Sequence, residues 1–237
     1  MFDPTKYSHP KVRHLPVILL LDVSGSMQGE KIDNLYDAVN TMIGDFVNQA
    51  SNELMIDVAI FTFGGKVELH TKYTPVADLK AAGLNRFLAD GNTPLGLCLT
   101  QAKDYIEDKE ETSGSNYAPT VVLVSDGMPN DEYENPMREF IGTGRSQKAQ
   151  RLAISIGSDA KRDMLESFTG DPNLVFFAES AGDIADSFKK VTMSVSMRSH
   201  STASTGSSDN GSSSVRVTRI TSKSSSSSNG DDDDLDF

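Results

Sequence analysis

Tryptophan is missing from this sequence, and cysteine occurs once, at Cys98. A lone cysteine cannot close an internal disulfide, which excludes the stapled scaffold of small secreted domains. It lies in Leu97-Cys98-Leu99, inside an apolar helical pattern, so its expected role is packing. Histidine is scarce too. His9, His14, His70 and His200 fall near the termini or in a hairpin, without the spacing of a metal cluster or a catalytic triad. The phosphate-cradling Gly-x-x-x-x-Gly-Lys-Ser and the Gly-x-Ser-x-Gly of serine hydrolases are both absent. No apolar run approaches the roughly 20 residues needed to span a bilayer. The opening Met1-Phe2-Asp3-Pro4-Thr5-Lys6 has no signal-peptide core, so a cytoplasmic location is expected, with no membrane partner. Basic residues are outnumbered, 22 against 34 acidic, for a net charge of −12. Phosphate backbones reward clustered Lys and Arg, so no nucleic-acid partner is expected. The small groups Arg145, Lys148, Arg151 and Lys161, Arg162 are expected to decorate solvated helix ends.

Against these absences stands Asp22-Val23-Ser24-Gly25-Ser26, which follows the apolar run Leu15 to Leu21. That run reads as a buried strand, so a carboxylate and two hydroxyls arrive on a tight turn at a strand's C-terminal end. Open α/β sheets bind ligands outside those ends. Three oxygen side chains at alternate positions suit a hard cation such as Mg²⁺. The same residues could instead cap a helix. Two later loops favour the cation. Thr93 sits in Asp90-Gly91-Asn92-Thr93-Pro94-Leu95-Gly96, and Asp126 follows a second buried strand, Thr120 to Ser125.

In these five residues the chain resembles the von Willebrand factor A family. The family's metal-ion-dependent adhesion site reads Asp-x-Ser-x-Ser, a distant Thr and a distant Asp, here Asp22, Ser24, Ser26, Thr93 and Asp126. The stretch Leu15 to Met27, with Ser125 to Asp131, looks most like the bacterial TerY branch found with tellurite-resistance genes. The resemblance implies a Rossmann-like sheet of six mainly parallel strands with one antiparallel edge and helices on both faces. It implies a Mg²⁺ site, with Mn²⁺ or Ca²⁺ as alternatives, in which the serines ligate directly and the aspartates act partly through water. A Glu or Asp of a partner protein would fill the open position. The expected function is therefore metal-dependent protein docking, not catalysis, in a stress-response assembly with kinase and phosphatase partners. A subunit beside an AAA+ ATPase of the chelatase type is the alternative; a metal-dependent hydrolase is a third reading, but no second nucleophilic Asp or catalytic Lys accompanies Asp22-Val23-Ser24.

Periodicity supplies the remaining elements. Helices are expected over Ile32 to Val47, Leu95 to Lys109, Asn135 to Ser146, Lys161 to Phe168 and from Asp183 towards Met197. Strands are expected over Leu54 to Phe63, Lys66 to Tyr73, Arg151 to Ile156 and Leu174 to Phe177. Gly64-Gly65 marks a hairpin, making its second strand the antiparallel edge. A sheet order 3-2-1-4-5-6 would set the strands ending at Asp22 and Asp126 side by side. Met27, Met128 and Pro129 either flank the ion or pack the core. Asn130 is a rim residue, and Asp131 is expected to cap the following helix. Glu30 and Asp33 complement a helix dipole.

Residues 1–13 read as an extension, 14–197 as the domain and 198–237 as a tail. Fourteen of the last forty residues are serine, too little apolar surface to offset ordering, so disorder is expected there. The short run Val215 to Ile220 is β-like, and the serines suit either a phosphoacceptor or a flexible linker. The acidic end, Asp231 to Phe237, reads as a solubilising segment or as a tethered ligand for the metal site of another copy or of the same copy.

Overall fold

The computed structural model describes residues 12–50, 54–114, 116–157 and 161–203. The fold is organised around β1 (Arg13–Asp22), whose residues are buried from Leu15 onward. Leu15, Val17, Leu19 and Leu21 face one apolar cluster, while Ile18 and Leu20 face another. A strand covered on both sides must be apolar at every position, which explains the unbroken run.

Five further strands complete one sheet: β2 (Leu54–Phe63), β3 (Val67–Pro75), β4 (Thr120–Ser125), β5 (Gln150–Ile156) and β6 (Val175–Ala178). Their order is β3-β2-β1-β4-β5-β6. Only β2 and β3 pair antiparallel; the other neighbours are parallel. This is the expected Rossmann-like arrangement. Leu21 stands opposite Val124, so β1 and β4 deliver Asp22 and Asp126 to the same edge.

Among the described residues six α-helices cover the sheet. On one face lie α1 (Glu30–Gln49), α2 (Val76–Ala82) and α6 (Ala181–Ala203); on the other lie α3 (Leu95–Glu107), α4 (Glu134–Gly142) and α5 (Arg162–Thr169). In α1 the buried residues Leu35, Ala38, Val39, Met42, Ile43 and Phe46 follow helical spacing. Cys98 is fully buried in α3, and burial pushes its thiol well above the usual range, consistent with packing. Among the described residues no helix is long and apolar enough to cross a membrane.

Three expectations change. No element is read from the sequence over 76–82, yet α2 forms there, anchored by buried Val76 and Leu79. The helix expected to reach Ser146 stops at Gly142. Thr143 is extended and Gly144 adopts φ 69°, so the chain turns before a 3-10 turn at Ser146–Lys148. The last helix extends beyond Met197 to Ala203, into residues whose composition reads as tail. Packing of Val191 and Val195 in the core anchors it, and propagation from an established helix is far easier than nucleation. The remaining readings on the termini, 1–11 and 204–237, lie outside the described residues.

The basic group at Arg145 also differs from expectation. Arg145 does not merely decorate a solvated end: its guanidinium donates to the carbonyls of Ile106 at 2.7 Å and Thr112 at 2.6 Å. Arg151 likewise donates to the Phe168 carbonyl at 2.7 Å. Lys148 and Arg162 are exposed, as expected.

Candidate metal centre

At the C-terminal ends of β1 and β4 the chain leaves the sheet through backbone-packed loops. Val23 N–H donates to Phe63 O at 2.8 Å, Asp90 N–H to Val23 O at 2.9 Å, Gly65 N–H to Asp90 O at 2.7 Å and Gly25 N–H to Gly91 O at 2.9 Å. These bonds bring the Thr93 loop against the Asp22 loop. Only glycine permits such proximity: a Cβ on Gly91, which has φ 67°, would lie 2.3 Å from the Gly65 Cα.

Four of the five expected ligand residues, Asp22, Ser24, Ser26 and Asp126, are brought together by hydrogen bonds in this crevice, and the loop that carries Thr93 packs against them. Asp22 is buried; its Oδ1 accepts from the Ser24 amide at 2.9 Å and its Oδ2 from the Ser125 hydroxyl at 2.7 Å. Ser24 Oγ and Ser26 Oγ are 3.0 Å apart. The Ser26 hydroxyl donates to Asp126 Oδ1 at 2.7 Å, and Asp126 is buried as well. Thr93 is only 8% exposed, yet its hydroxyl makes no hydrogen bond among the described residues. Ser24, Ser26 and Asp126 thus form one bonded chain. Asp22 joins it through backbone and Ser125, and Thr93 approaches through its loop.

Burial pushes the Asp22 carboxyl above its ordinary range; bonds from Ser24 and Ser125 act against this, while the nearby Asp126 charge adds to it. Two buried carboxylates beside three hydroxyls form a hard, oxygen-only donor set. A divalent cation would relieve the carboxylates' repulsion and use the free threonine hydroxyl. The residues therefore fit such an ion. A phosphate or another anion would meet two buried negative charges and does not fit.

The surrounding residues divide clearly. Met27 is fully buried in the core, whereas Met128 is 61% exposed on the β4 loop. Asn130 is more than a rim residue: its Oδ1 accepts from the Thr93 amide at 3.1 Å, and its own amide donates to the Thr93 carbonyl at 3.2 Å. Asp131 caps α3, not the following helix, accepting from the amides of Gly96 at 3.1 Å and Leu97 at 3.0 Å. The reason is through-space: the β4 loop lies across the N-terminus of α3, whose free amides attract the carboxylate. Glu30 and Asp33 occupy the first turn of α1, with Asp33 paired to Arg86 at 3.0 Å.

Two neighbours were not singled out from the sequence. Ser125, one residue before Asp126, orients Asp22. Lys31 places its ammonium 2.6 Å from Asp126 Oδ2, with its side chain 41% exposed. The available signal was its position, a cation in the first turn of a helix, where the dipole disfavours one.

Residues 17–190 match the family model described as von Willebrand factor type A domain. No curated protein matches the chain. Among solved structures, the chain is similar to proximal thread matrix protein 1 from the mussel byssus with a zinc-occupied metal-ion-dependent adhesion motif. That match has 18% identity and a TM-score of 0.63, covering 76% of this chain and 48% of that one. A von Willebrand factor type A protein from Catenulispora acidiphila matches at 18% identity and TM-score 0.61, over 78% of this chain and 43% of that one. The pilus adhesin SpaC from Lactobacillus rhamnosus GG matches at 15% identity and TM-score 0.59, over 79% and 31%. The chain spans less than half the length of each of these structures, and at such identities the likeness concerns the fold.

Proposed function

The chain belongs to the von Willebrand factor type A domain family, and from that premise we propose that it is a metal-dependent protein-docking module. Domains of this family commonly mediate such interactions. Asp22, Ser24, Ser26, Thr93 and Asp126 are the ion-holding residues in this reading. The observation that supports it is the bonded chain Ser24–Ser26–Asp126 beside the buried Asp22 carboxylate, with the Thr93 loop packed against it. The hydroxyls of Ser24, Ser26 and Thr93 would hold the ion, while Asp22 and Asp126 balance its charge and orient water. When bound, the ion supplies a Lewis-acidic position for a partner's Glu or Asp. Mg²⁺ suits these neutral hard oxygens and retained water, with Mn²⁺ and Ca²⁺ as alternatives.

The partner is an acidic-surfaced protein in a TerY-like stress-response setting in the cytoplasm, with a kinase or phosphatase as candidates. The stretches Leu15 to Met27 and Ser125 to Asp131 support that branch. Titration of Mn²⁺ into the purified chain should reveal one site, abolished by Asp22→Ala with the circular dichroism unchanged. A pull-down from native extract should then retain the partner in Mg²⁺, and lose it in EDTA or with Asp22→Ala. A partner retained equally under all three conditions overturns the docking reading.

A further inference from the structure

The candidate centre already contains a cation of its own. The Lys31 ammonium lies 2.6 Å from Asp126 Oδ2, while the other oxygen of that carboxylate accepts from Ser26. The Asp126 side chain is fully buried and that of Lys31 is 41% exposed, so the lysine reaches inward from the rim. It starts from the second residue of α1, where the helix's positive end opposes a cation. Such a placement is unfavourable for the helix and is offset by the Asp126 carboxylate that it meets. Lys31 balances one of the two buried negative charges, Asp22 and Asp126, and leaves the second uncompensated.

We propose that Lys31 is a resident counter-cation that competes with the divalent ion for Asp126 and thereby sets the metal affinity of the site. This inference rests on the metal-site reading above. Without the ion, Lys31 keeps a buried carboxylate paired, and an unpaired one is strongly destabilising. With the ion bound, two cations face one carboxylate within a few ångströms, in surroundings that screen charge less than water does. The long, partly exposed lysine stem lets the ammonium withdraw to solvent. The ion must displace it, so each binding event includes the cost of breaking an ion pair. The site is thereby tuned to ion concentrations higher than its bare oxygens would require. The exposed rim position of Lys31 also means that the displaced charge remains beside the face where a partner's carboxylate would arrive.

The test compares the full chain with Lys31→Met, which keeps the length without the charge. Lys31→Gln serves as a second neutral variant able to donate to Asp126, and Lys31→Arg retains the charge. Mn²⁺ affinity is measured by calorimetry and thermal midpoint with and without the ion. Both neutral variants should bind Mn²⁺ about tenfold tighter or more, and Lys31→Arg should stay near the wild type. The metal-free midpoint should fall in Lys31→Met, and saturating Mn²⁺ should narrow that difference. Equal or weaker Mn²⁺ binding in folded Lys31→Met and Lys31→Gln overturns the inference while leaving the metal site standing. Failure of all four folded proteins to bind Mn²⁺ or Mg²⁺ overturns the metal-site reading and this inference with it.

Discussion

Two polar networks in this molecule, one partly buried and one built on buried carboxylates, differ in how their charges are matched. At the junction of α3 with the segment after α4, Glu107 Oε1 accepts from the amides of Arg145 at 2.6 Å and Ser146 at 3.1 Å. Lys103 donates to Thr143 O at 2.9 Å and Ser146 Oγ at 3.1 Å, and Ser146 donates to Phe140 O at 2.8 Å. The Arg145 guanidinium meets the carbonyls of Ile106 and Thr112. Burial alone would raise the Glu107 carboxyl; the Ser146 and Arg145 amides, with Lys103 nearby, hold it below its ordinary range. Charges and donors are matched, and the network closes on itself. At the candidate metal centre the charges are not matched: two buried carboxylates, Asp22 and Asp126, stand with one lysine, which pairs with Asp126 alone. The first network is closed; the second is left with charge to spare, as the proposed metal site requires. Buried polarity alone does not distinguish the two; the balance of charge does.

Three further perturbations bear on this contrast. The largest effect is expected from Gly91→Ala, whose Cβ would collide with the Gly65 backbone at a positive φ. Strain and overpacking together should cost about 4 kcal/mol, measurable by urea denaturation, and Mn²⁺ binding should fall because the Thr93 loop shifts. Arg145→Ala comes next. Loss of charged hydrogen bonds to carbonyls should destabilise by about 2–3 kcal/mol. Mn²⁺ affinity should be unchanged, and a weakened affinity would mean that the two networks are coupled.

The smallest effect concerns acid. His70 lines a groove beside the metal loops, with Lys66, Glu68, Arg86 and Asp90 facing it, and Phe87 packed edge-on at 5.2 Å. Burial lowers its pKa, while Glu68 and an Asn85 backbone bond work in the raising direction. A lowered histidine pKa means that the unfolded chain protonates first as pH falls. Stability is therefore complete above the ordinary histidine value near 6.5 and declines as pH drops from there towards the lowered folded value. Urea midpoints between pH 7.5 and 5 should show this decline, and His70→Gln should flatten it.

The legible parts were those encoded locally. Eight successive buried residues of β1 leave an apolar run that ends at a charged turn, and α1 repeats its buried positions for several turns. The missed parts depend on distance along the chain. Helix α2 is too short to show a period and rests on two buried residues. Asp131 reads as a cap for the next helix because nothing local reveals that α3, 35 residues earlier, lies beneath it. Lys31 and Asp126 are 95 residues apart, so their pairing is invisible before the sheet order brings them together. The donor types of the candidate site were readable, whereas its charge balance was not.

Asn130 grips the Thr93 backbone from both sides, and Asp131 seats on the helix that Thr93 precedes. The two loops are therefore one heritable unit despite the helix and strand between them. A chimera exchanging the 90–96 loop with a relative would need its 126–131 partner from the same parent. In a recombination library, crossovers between them should be purged first, and surviving sequences should vary at both loops together.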